Sequence, residues 1–143
     1  MKTVIPFKVL SIGDDGFHLM IKLVLNKKSA NVIIDTGASK TVFDKKQILK
    51  YGANKKFDQL DSLSSGLGTN TMKSHFTILK KMKIGSLEIE DFKIVLLDLS
   101  HVNKSYKEVG LPQIDGVLGS DLLLKYNAVI DYGQKKLKLK FKN

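Results

Sequence analysis

The sequence predicts an all-β fold with one or two short helices, formed by a single domain of residues 1–143. Most of the chain consists of aliphatic-rich stretches such as FHLMIKLVLN, separated by turn sequences such as GDDG and KKSA, which is typical of successive β-strands. No low-complexity linker interrupts this pattern. At 143 residues the chain is long enough to bury a sizeable core but too short for two lobes of ordinary size.

The N-terminal third of the chain predicts a meander and then a short helix. The meander ends at Asp35 and consists of three strands, VIPFKVLS, FHLMIKLVLN and NVIID. A short helix is expected in FDKKQILKYG, because Asp44 is a good N-cap and Gln47 follows it at the spacing of a capping box. Gly52 is expected to end this helix.

The rest of the chain predicts further strands, a second helix and a final hairpin. The segments are two strands in residues 57–84, one or two strands in LEIEDFKIVLLDLS, a loop or short irregular helix in HVNKSYKEVGLPQ, a short helix in SDLLLKY, and a hairpin in NAVIDYG–KKLKLKF. The first two strands should surround the Gly-rich tip SSGLGTN. The helix follows a tight apolar step, IDGVLG, and we expect Ser120 or Asp121 to cap it.

The net charge of +10 raises the possibility of a nucleic-acid partner. All basic residues are lysines, whereas arginine supplies the bidentate fork that reads guanine and grips phosphate. In KKLKLKFK the lysines alternate with apolar residues, so one face of the predicted strand is apolar and the other solvated. Lysines also commonly guard exposed strand edges. We therefore expect no nucleic-acid partner.

Composition argues against several other classes of protein. No apolar run approaches the roughly 18 residues that a membrane span needs, and the start MKTVIPFKVLS lacks the apolar core of a signal peptide, so a cytoplasmic location is the default. Without cysteine there is no disulfide or thiol nucleophile. No G-x-S-x-G elbow of a serine hydrolase is present. His18, His75 and His101 lack metal-ligand spacing, so neither a metal nor a cofactor is expected.

Two stretches nearly repeat each other: NVIIDTGASK, residues 31–40, and NAVIDYGQKK, residues 127–136. Each leads through aliphatic residues to an Asp that is followed two positions later by Gly. Two carboxylates that share one proton can hydrolyse a peptide bond, because the ionised one draws a proton from a water while the other hydrogen-bonds to the substrate carbonyl. The repeat therefore raises the question of whether Asp35 and Asp131 form such a pair.

Only Asp35 has the surroundings that a catalytic turn needs. Small residues follow it in DTGAS, and Gly37 allows two backbones to approach closely. Asp131 is followed by a bulky tyrosine, and too little chain remains after it to build a substrate-covering hairpin with its supporting strands. We interpret Asp131 as a hairpin-turn residue, and Asp115 as a turn residue before a glycine. The second carboxylate must come from elsewhere.

Three features in this order resemble the retropepsin-like aspartic proteases, which include retroviral proteases and bacterial single-domain relatives. They are VIIDTGAS, SGLG at residues 65–68 and IDGVLGSDLL at residues 114–123, and the resemblance extends over about residues 4–141. It implies a closed β-barrel or sandwich of the acid-protease type with a single lobe. Family members carry one DTG per chain and form a homodimer, so the partner of Asp35 would be Asp35 of a second copy.

The resemblance also implies a role for each matching residue. Asp35 would be catalytic, the hydroxyl of Thr36 would bond across the dimer, and Gly37 would let the backbone approach the carboxylate pair and the substrate. Ala38 and Ser39 would complete the active-site loop. The matching flap tip, which closes over an extended peptide and excludes water, is Gly66, Leu67 and Gly68. The apolar step that packs behind the active-site loop is Val117, Leu118 and Gly119.

Three positions depart from the relatives. Viral members usually have Asp at the position of Ser39 and Arg at the position of Ser120, so an ion pair that braces the site is absent and a weak, concentration-dependent dimer is expected. Ala38 stands where the two-lobed pepsin relatives carry a hydroxyl residue that bonds the carboxylate. Because that bond favours the ionised form, we predict an activity optimum nearer neutral than pepsin's.

The favoured prediction is an aspartic endopeptidase that acts as a homodimer on an extended peptide or protein substrate. The alternative is a retropepsin-fold dimerisation or peptide-binding module that does not cleave, since a fold does not guarantee its chemistry. The intact DTGAS counts against this alternative and the missing ion pair counts for it. A third possibility, a basic nucleic-acid binder, predicts a steep salt dependence of binding to generic DNA.

Overall fold

The computed structural model of the protein describes residues 1–52, 58–59 and 75–142. Its strands are β1 (Lys2–Pro6), β2 (Lys8–Ser11), β3 (Phe17–Leu25), β4 (Lys28–Ile34), β5 (Val42–Asp44), β6 (Asp58–Gln59), β7 (His75–Ile84), β8 (Leu87–Leu97), β9 (Gly116–Leu118), β10 (Val129–Asp131) and β11 (Lys136–Lys140). Its helices are α1 (Ser100–Glu108), α2 (Ser120–Lys125) and two 3₁₀-helices, Gly13–Asp15 and Gln47–Tyr51.

Six of these strands close into a barrel. They follow the hydrogen-bonded order β3-β4-β9-β5-β8-β7, and β7 pairs back with β3, where Leu25 lies opposite Met82. The pairings of β4 with β9 and of β5 with β8 are parallel, and the other pairings in the barrel are antiparallel. The predicted all-β closed barrel with short helices is confirmed.

Alternation along β3 and β4 divides their side chains between two cores. Leu23 and Val32 belong to the main core of the barrel. Met20 and Ile33 point to the other face and pack in a second core with Tyr106 of α1. The helix therefore covers the outer face of these two strands, so both faces of the sheet are buried there and the strands read as continuous apolar runs.

The first predicted strand divides into two at Phe7. β1 pairs with β11 in a separate three-stranded sheet of order β1-β11-β10, whereas β2 joins β3. The side chain of Phe7 is buried, and its N–H donates a hydrogen bond to the carbonyl of Lys135 at 3.0 Å. The preceding Pro6 has no N–H to add to a strand ladder. The meander is therefore β2-β3-β4, and as predicted it leads to Asp35.

The helix predicted in residues 43–52 is a 3₁₀-helix that begins at Gln47. Its N-cap position is Lys46, so the exact capping position expected for Asp44 is wrong. The buried carboxylate of Asp44 instead accepts hydrogen bonds from the N–H groups of Lys46, Gln47 and Leu99 at 2.7–3.2 Å. Gly52 ends this helix in the left-handed conformation with φ 77°, as predicted.

A regular α-helix, α1, forms in the segment for which a loop or short irregular helix was expected. The reason lies at its two ends. The N–H of Leu99 bonds to Asp44 at the end of the neighbouring strand β5, and the N–H of Ser100 bonds to Asp98 at 2.9 Å. Near its C-terminus, Tyr106 is buried in the second core, which raises the pKa of its hydroxyl to about 12. Tertiary contacts therefore stabilise a helix whose local sequence signals are weak.

Candidate active site

Asp35 lies at the end of β4 with its side chain exposed. Its N–H donates a hydrogen bond to the carbonyl of Leu118 at 2.9 Å, which continues the parallel pairing that sets Ile34 opposite Leu118. Leu118 packs in the main core, and Val117 packs against the second core. The Asp35 carboxylate therefore lies where β4 ends, beside the end of β9, whose side chains are anchored in the two cores.

Residues 35–39 form a tight turn. The N–H of Ala38 donates to the carbonyl of Asp35 at 3.2 Å, and the N–H of Gly37 donates to Oδ1 of the Asp35 carboxylate at 3.0 Å. Thr36, Gly37 and Ser39 are exposed, and Ala38 is half-buried. Within the described ranges no hydrogen bond reaches Oδ2 of Asp35. One carboxylate oxygen is thus held by the turn and the other is available to a water or a substrate.

The backbone of the loop after β9 contacts the backbone of this turn, and we call this junction the clasp. The N–H of Ser120 donates to the carbonyl of Ala38 at 2.7 Å. Gly119 is buried, and a Cβ at this position would lie 2.6 Å from the carbonyl carbon and oxygen of Lys40. Such a distance is shorter than real Cβ contacts, so only glycine allows the two loops to approach this closely.

A contact between Thr41 and Asp121 joins the same two loops, and sequence reasoning missed it. The N–H of Thr41 donates to Oδ1 of Asp121 at 3.0 Å, and its hydroxyl donates to the same oxygen at 2.8 Å. The hydroxyl also accepts a hydrogen bond from the N–H of Gly119 at 3.0 Å. The expected capping position of α2 at Ser120 or Asp121 is wrong, because Gly119 occupies the N-cap position. Asp121 lies in the first turn, where it accepts hydrogen bonds from Thr41 and from the N–H of Leu122. The available signal was a threonine opening the otherwise apolar strand segment TVF.

Replacing Asp121 by alanine should lower the free energy of unfolding by about 2–3 kcal/mol, since the N–H and hydroxyl of Thr41 lose their acceptor at a buried position. Asp121→Asn keeps an acceptor oxygen in place and should cost less than about 1 kcal/mol. Urea denaturation of the two variants beside wild type measures the difference. Equal losses in both variants would show that the hydrogen bonds to Thr41 do not stabilise the clasp.

Asp131 lies in the three-stranded sheet, outside the barrel strands that hold Asp35. Its Oδ1 accepts a hydrogen bond from the N–H of Gln134 at 2.9 Å, and Lys138 approaches Oδ2 at 3.6 Å. The bond from Gln134, and to a smaller degree Lys138, lowers the pKa of this carboxyl. The interpretation of Asp131 as a hairpin-turn residue is confirmed, as is the predicted hairpin, in which Leu137 is buried.

Asp115 lies at the opposite end of β9 from the candidate catalytic turn. Its Oδ2 accepts a hydrogen bond from the N–H of Asn31 at 2.8 Å, and the backbones of the two residues are also bonded. Asn31 precedes Asp35 by four residues along β4, which corresponds to roughly 13 Å at the rise of a strand. Asp115 therefore braces the start of β9 and is remote from the carboxylate of Asp35.

The remaining predicted residues have the following places. The candidate flap tip, Gly66 to Gly68, lies outside the described residues, and β7 begins at His75. His18 hydrogen-bonds through Nδ1 to the hydroxyl of Tyr106, and His101 is exposed on α1. The described ranges hold no group of three or more His, Cys, Asp or Glu side chains that could bind a metal ion. In the same ranges, no helix is long and apolar enough to cross a membrane.

A six-stranded barrel with an aspartate turn at the end of β4, clasped by the loop after β9, defines a retropepsin-like aspartic protease fold. The chain belongs to the aspartyl protease family, whose model matches residues 21–122. The structural comparisons agree with this assignment.

Three solved structures share the fold. A retropepsin-like aspartic protease from Rickettsia conorii superposes with a TM-score of 0.59 at 22% identity, covering 97% of this chain and 90% of that chain. The retroviral protease-like domain of Ddi1 from Leishmania major has a TM-score of 0.55 at 14% identity, covering 88% and 94%. The EIAV protease in complex with the inhibitor HBY-793 has a TM-score of 0.54 at 18% identity, covering 81% and 93%. No curated protein sequence matches the chain significantly.

Proposed function

We propose that the chain forms one domain that is active as a homodimeric aspartic endopeptidase, with Asp35 from each of two copies activating one water molecule. The observation that carries this proposal is the state of the Asp35 carboxylate. It is exposed at the end of β4, the N–H of Gly37 holds one of its oxygens, and the loop after β9 fixes the turn from behind.

This arrangement suits hydrolysis by a carboxylate pair. Two carboxylates side by side cannot both be ionised easily, so they share one proton. The ionised carboxylate takes a proton from the water, whose oxygen attacks the peptide carbonyl, while the protonated carboxyl donates a hydrogen bond to the carbonyl oxygen. With Oδ1 of Asp35 held by Gly37, Oδ2 is the oxygen that faces the water.

The second carboxylate is best supplied by another copy of the chain. Asp121 is engaged by Thr41, Asp115 braces the far end of β9, and Asp131 lies in the other sheet. A two-fold axis beside the turn sets Asp35 next to its own symmetry mate without any further acidic residue. The exposed hydroxyl of Thr36 would then face the partner's turn.

Gly37 adds independent support for a neighbour at the turn. A Cβ on Gly37 would meet only Oδ1 of Asp35 at 3.4 Å, an ordinary contact, and its backbone lies outside the left-handed region. The described part of the chain therefore does not itself require glycine at this position, in contrast to Gly119. The missing side chain leaves room in front of the carboxylate, where a partner subunit and a substrate backbone would lie.

The substrate that suits this site is a peptide in extended conformation. Such a peptide adds as a strand, so its backbone provides affinity and alternate side chains enter pockets. We propose Gly66, Leu67 and Gly68 as the tip that closes over it, on the strength of their place in the sequence. A closed tip would exclude water other than the one that reacts.

A non-cleaving peptide-binding or dimerisation module is the second candidate, because Ser39 and Ser120 replace the ion pair that braces viral members. The bond from Ser120 to Ala38 and the contact between Thr41 and Asp121 brace the turn in another way. This bracing favours the enzyme over the module. The dimer is still expected to be weak and concentration-dependent, because the replacement contacts all lie within one chain.

The decisive experiment compares wild type with Asp35→Asn on an unbiased peptide mixture from pH 4 to 8 at high protein concentration. Wild type should cleave, with an optimum nearer neutral than pepsin's, and Asp35→Asn should be at least about 1,000-fold slower. Asp131→Asn is the matched control and should cleave like wild type, because asparagine keeps the turn oxygen. Cleavage by both wild type and Asp35→Asn, or by neither, contradicts the proposal, and peptide binding without cleavage identifies the module.

A further inference from the structure

A groove of about 480 Å³ lies between α1 and the 3₁₀-helix Gln47–Tyr51. One face of α1 lines it, because Ser100, Asn103, Lys104 and Lys107 recur at the spacing of a single helical face. The volume is within the range of small-molecule sites, which span roughly 300–1,000 Å³. The groove is therefore large enough for a ligand with several charged groups.

The groove is separate from the candidate catalytic turn. Asp44, at the end of β5, forms part of its lining. The N–H of Asp44 donates to the carbonyl of Asp115. Asp115 immediately precedes β9 and hydrogen-bonds to Asn31 of β4. The groove thus lies at the opposite end of these strands from Asp35, and a ligand there would leave the turn accessible.

Three lysines, Lys46, Lys104 and Lys107, give the groove its charge. Lys104 and Lys107 are neighbours on α1, and Lys46 faces them from the other wall. In the described part of the chain none of the three forms an ion pair. Two carboxylates also lie near the lysines, Asp44 with three backbone hydrogen bonds and Asp98 with one. The three ammonium groups outnumber these two carboxylates, so the groove favours an anionic ligand over a cation.

Gln47 shows that the groove is more than a set of surface lysines. It lines the groove but is only 9% exposed, and its backbone N–H is engaged by Asp44. Its side-chain amide makes no hydrogen bond within residues 1–52, 58–59 and 75–142. Its amide atoms are not among the buried polar atoms that lack a partner in the described residues, so they are open to solvent in the groove. A ligand oxygen in the groove can replace that solvent and accept a hydrogen bond from the amide.

We propose that this groove binds a small ligand that carries two or more phosphate groups. Lysine ammoniums are strong point-charge partners of phosphate oxygens, and three of them from two walls match a multivalent anion better than a single carboxylate. The Gln47 amide donates to a phosphate oxygen, and the half-buried Leu111 offers an apolar edge to whatever carries the phosphates. Neither the fold nor the proposed peptidase activity requires this site.

The test is calorimetric titration of the full chain with inorganic triphosphate. Lys104→Gln/Lys107→Gln should weaken binding at least about tenfold. The matched control, Lys136→Gln/Lys140→Gln, removes the same charge from exposed positions of β11 and should change binding less than about twofold. Gln47→Leu should weaken binding about threefold to tenfold with all lysines in place. Circular dichroism confirms that each variant is folded.

Each contrary result has a definite meaning. Equal weakening by the two lysine pairs overturns the proposal, because it shows attraction to diffuse positive charge. Absence of saturable binding to wild type up to about 10 mM triphosphate also overturns it. A third result would be binding of a hexaglutamate peptide that depends on Lys104 and Lys107, without binding of triphosphate. This result also overturns the proposal, because it shows that the groove binds an acidic protein segment. All these readouts are independent of peptide cleavage, so a failure here leaves the proposed enzyme untouched.

Discussion

Adding Asp35→Asn protein to a fixed amount of wild type should halve the cleavage rate at equal amounts and reduce it to about one tenth at tenfold excess. The reason is that each active site would take one Asp35 from each of two chains. Random exchange places about half of the wild-type chains in hybrid dimers at equal amounts and about nine tenths at tenfold excess, and a hybrid has one carboxylate where the reaction needs two. A chain that worked alone would keep its full rate.

The measurement follows initial rates at a protein concentration well above that needed for dimerisation, after time for subunit exchange. Asp131→Asn is the matched addition: its turn is intact, it keeps Asp35, and its excess should raise the rate instead of lowering it. A rate that is indifferent to excess Asp35→Asn protein, at concentrations where light scattering shows dimers, would contradict a shared carboxylate pair.

Alanine at two glycines should separate folding from catalysis. Gly119→Ala places a Cβ 2.6 Å from the backbone of Lys40 and 2.9 Å from the carbonyl oxygen of Ala38, and neither can move without breaking the clasp. We expect a loss of about 3 kcal/mol or more in the free energy of unfolding, together with loss of activity. Gly37→Ala meets only Asp35 Oδ1 at 3.4 Å and should change the unfolding free energy by less than about 1 kcal/mol.

Activity should nevertheless fall sharply in Gly37→Ala, because the new methyl group occupies the space in front of the carboxylate. Guanidinium denaturation and peptide cleavage, measured on the same preparations, give the two quantities. A Gly37→Ala protein with full activity would remove the support that this glycine gives to a partner and a substrate at the turn. A Gly119→Ala protein as stable as wild type would show that the clasp tolerates a side chain.

Sequence reasoning predicted the elements whose signals are local. The hairpin ending in KKLKLKF follows from strict alternation, and Gly52 follows from the need for a left-handed residue after a helix. The interpretation of Asp131 as a hairpin-turn residue, in contrast to Asp35, follows from the size of the residues after each Asp. Each of these predictions depends on a few neighbouring residues.

The features that sequence reasoning missed depend on contacts between distant segments. The division of the first strand at Phe7 follows from the position of β11, far along the chain. α1 is regular because Asp44 hydrogen-bonds to its start and Tyr106, near its end, is buried in the second core. The bond from Thr41 to Asp121 links residues 80 positions apart. No local pattern contains such partners, so spacing alone could not identify them.

The contacts between the aspartate turn and the loop after β9 also determine when the turn is stabilised during synthesis of the chain. The bond from Gly119 to Thr41 spans 78 positions, and closing so long a loop is entropically costly and slow. A nascent chain on the ribosome can form the β3–β4 hairpin early, but its turn acquires support only after α2 has been translated. The support of the Asp35 turn is therefore acquired long after the turn itself has been synthesised.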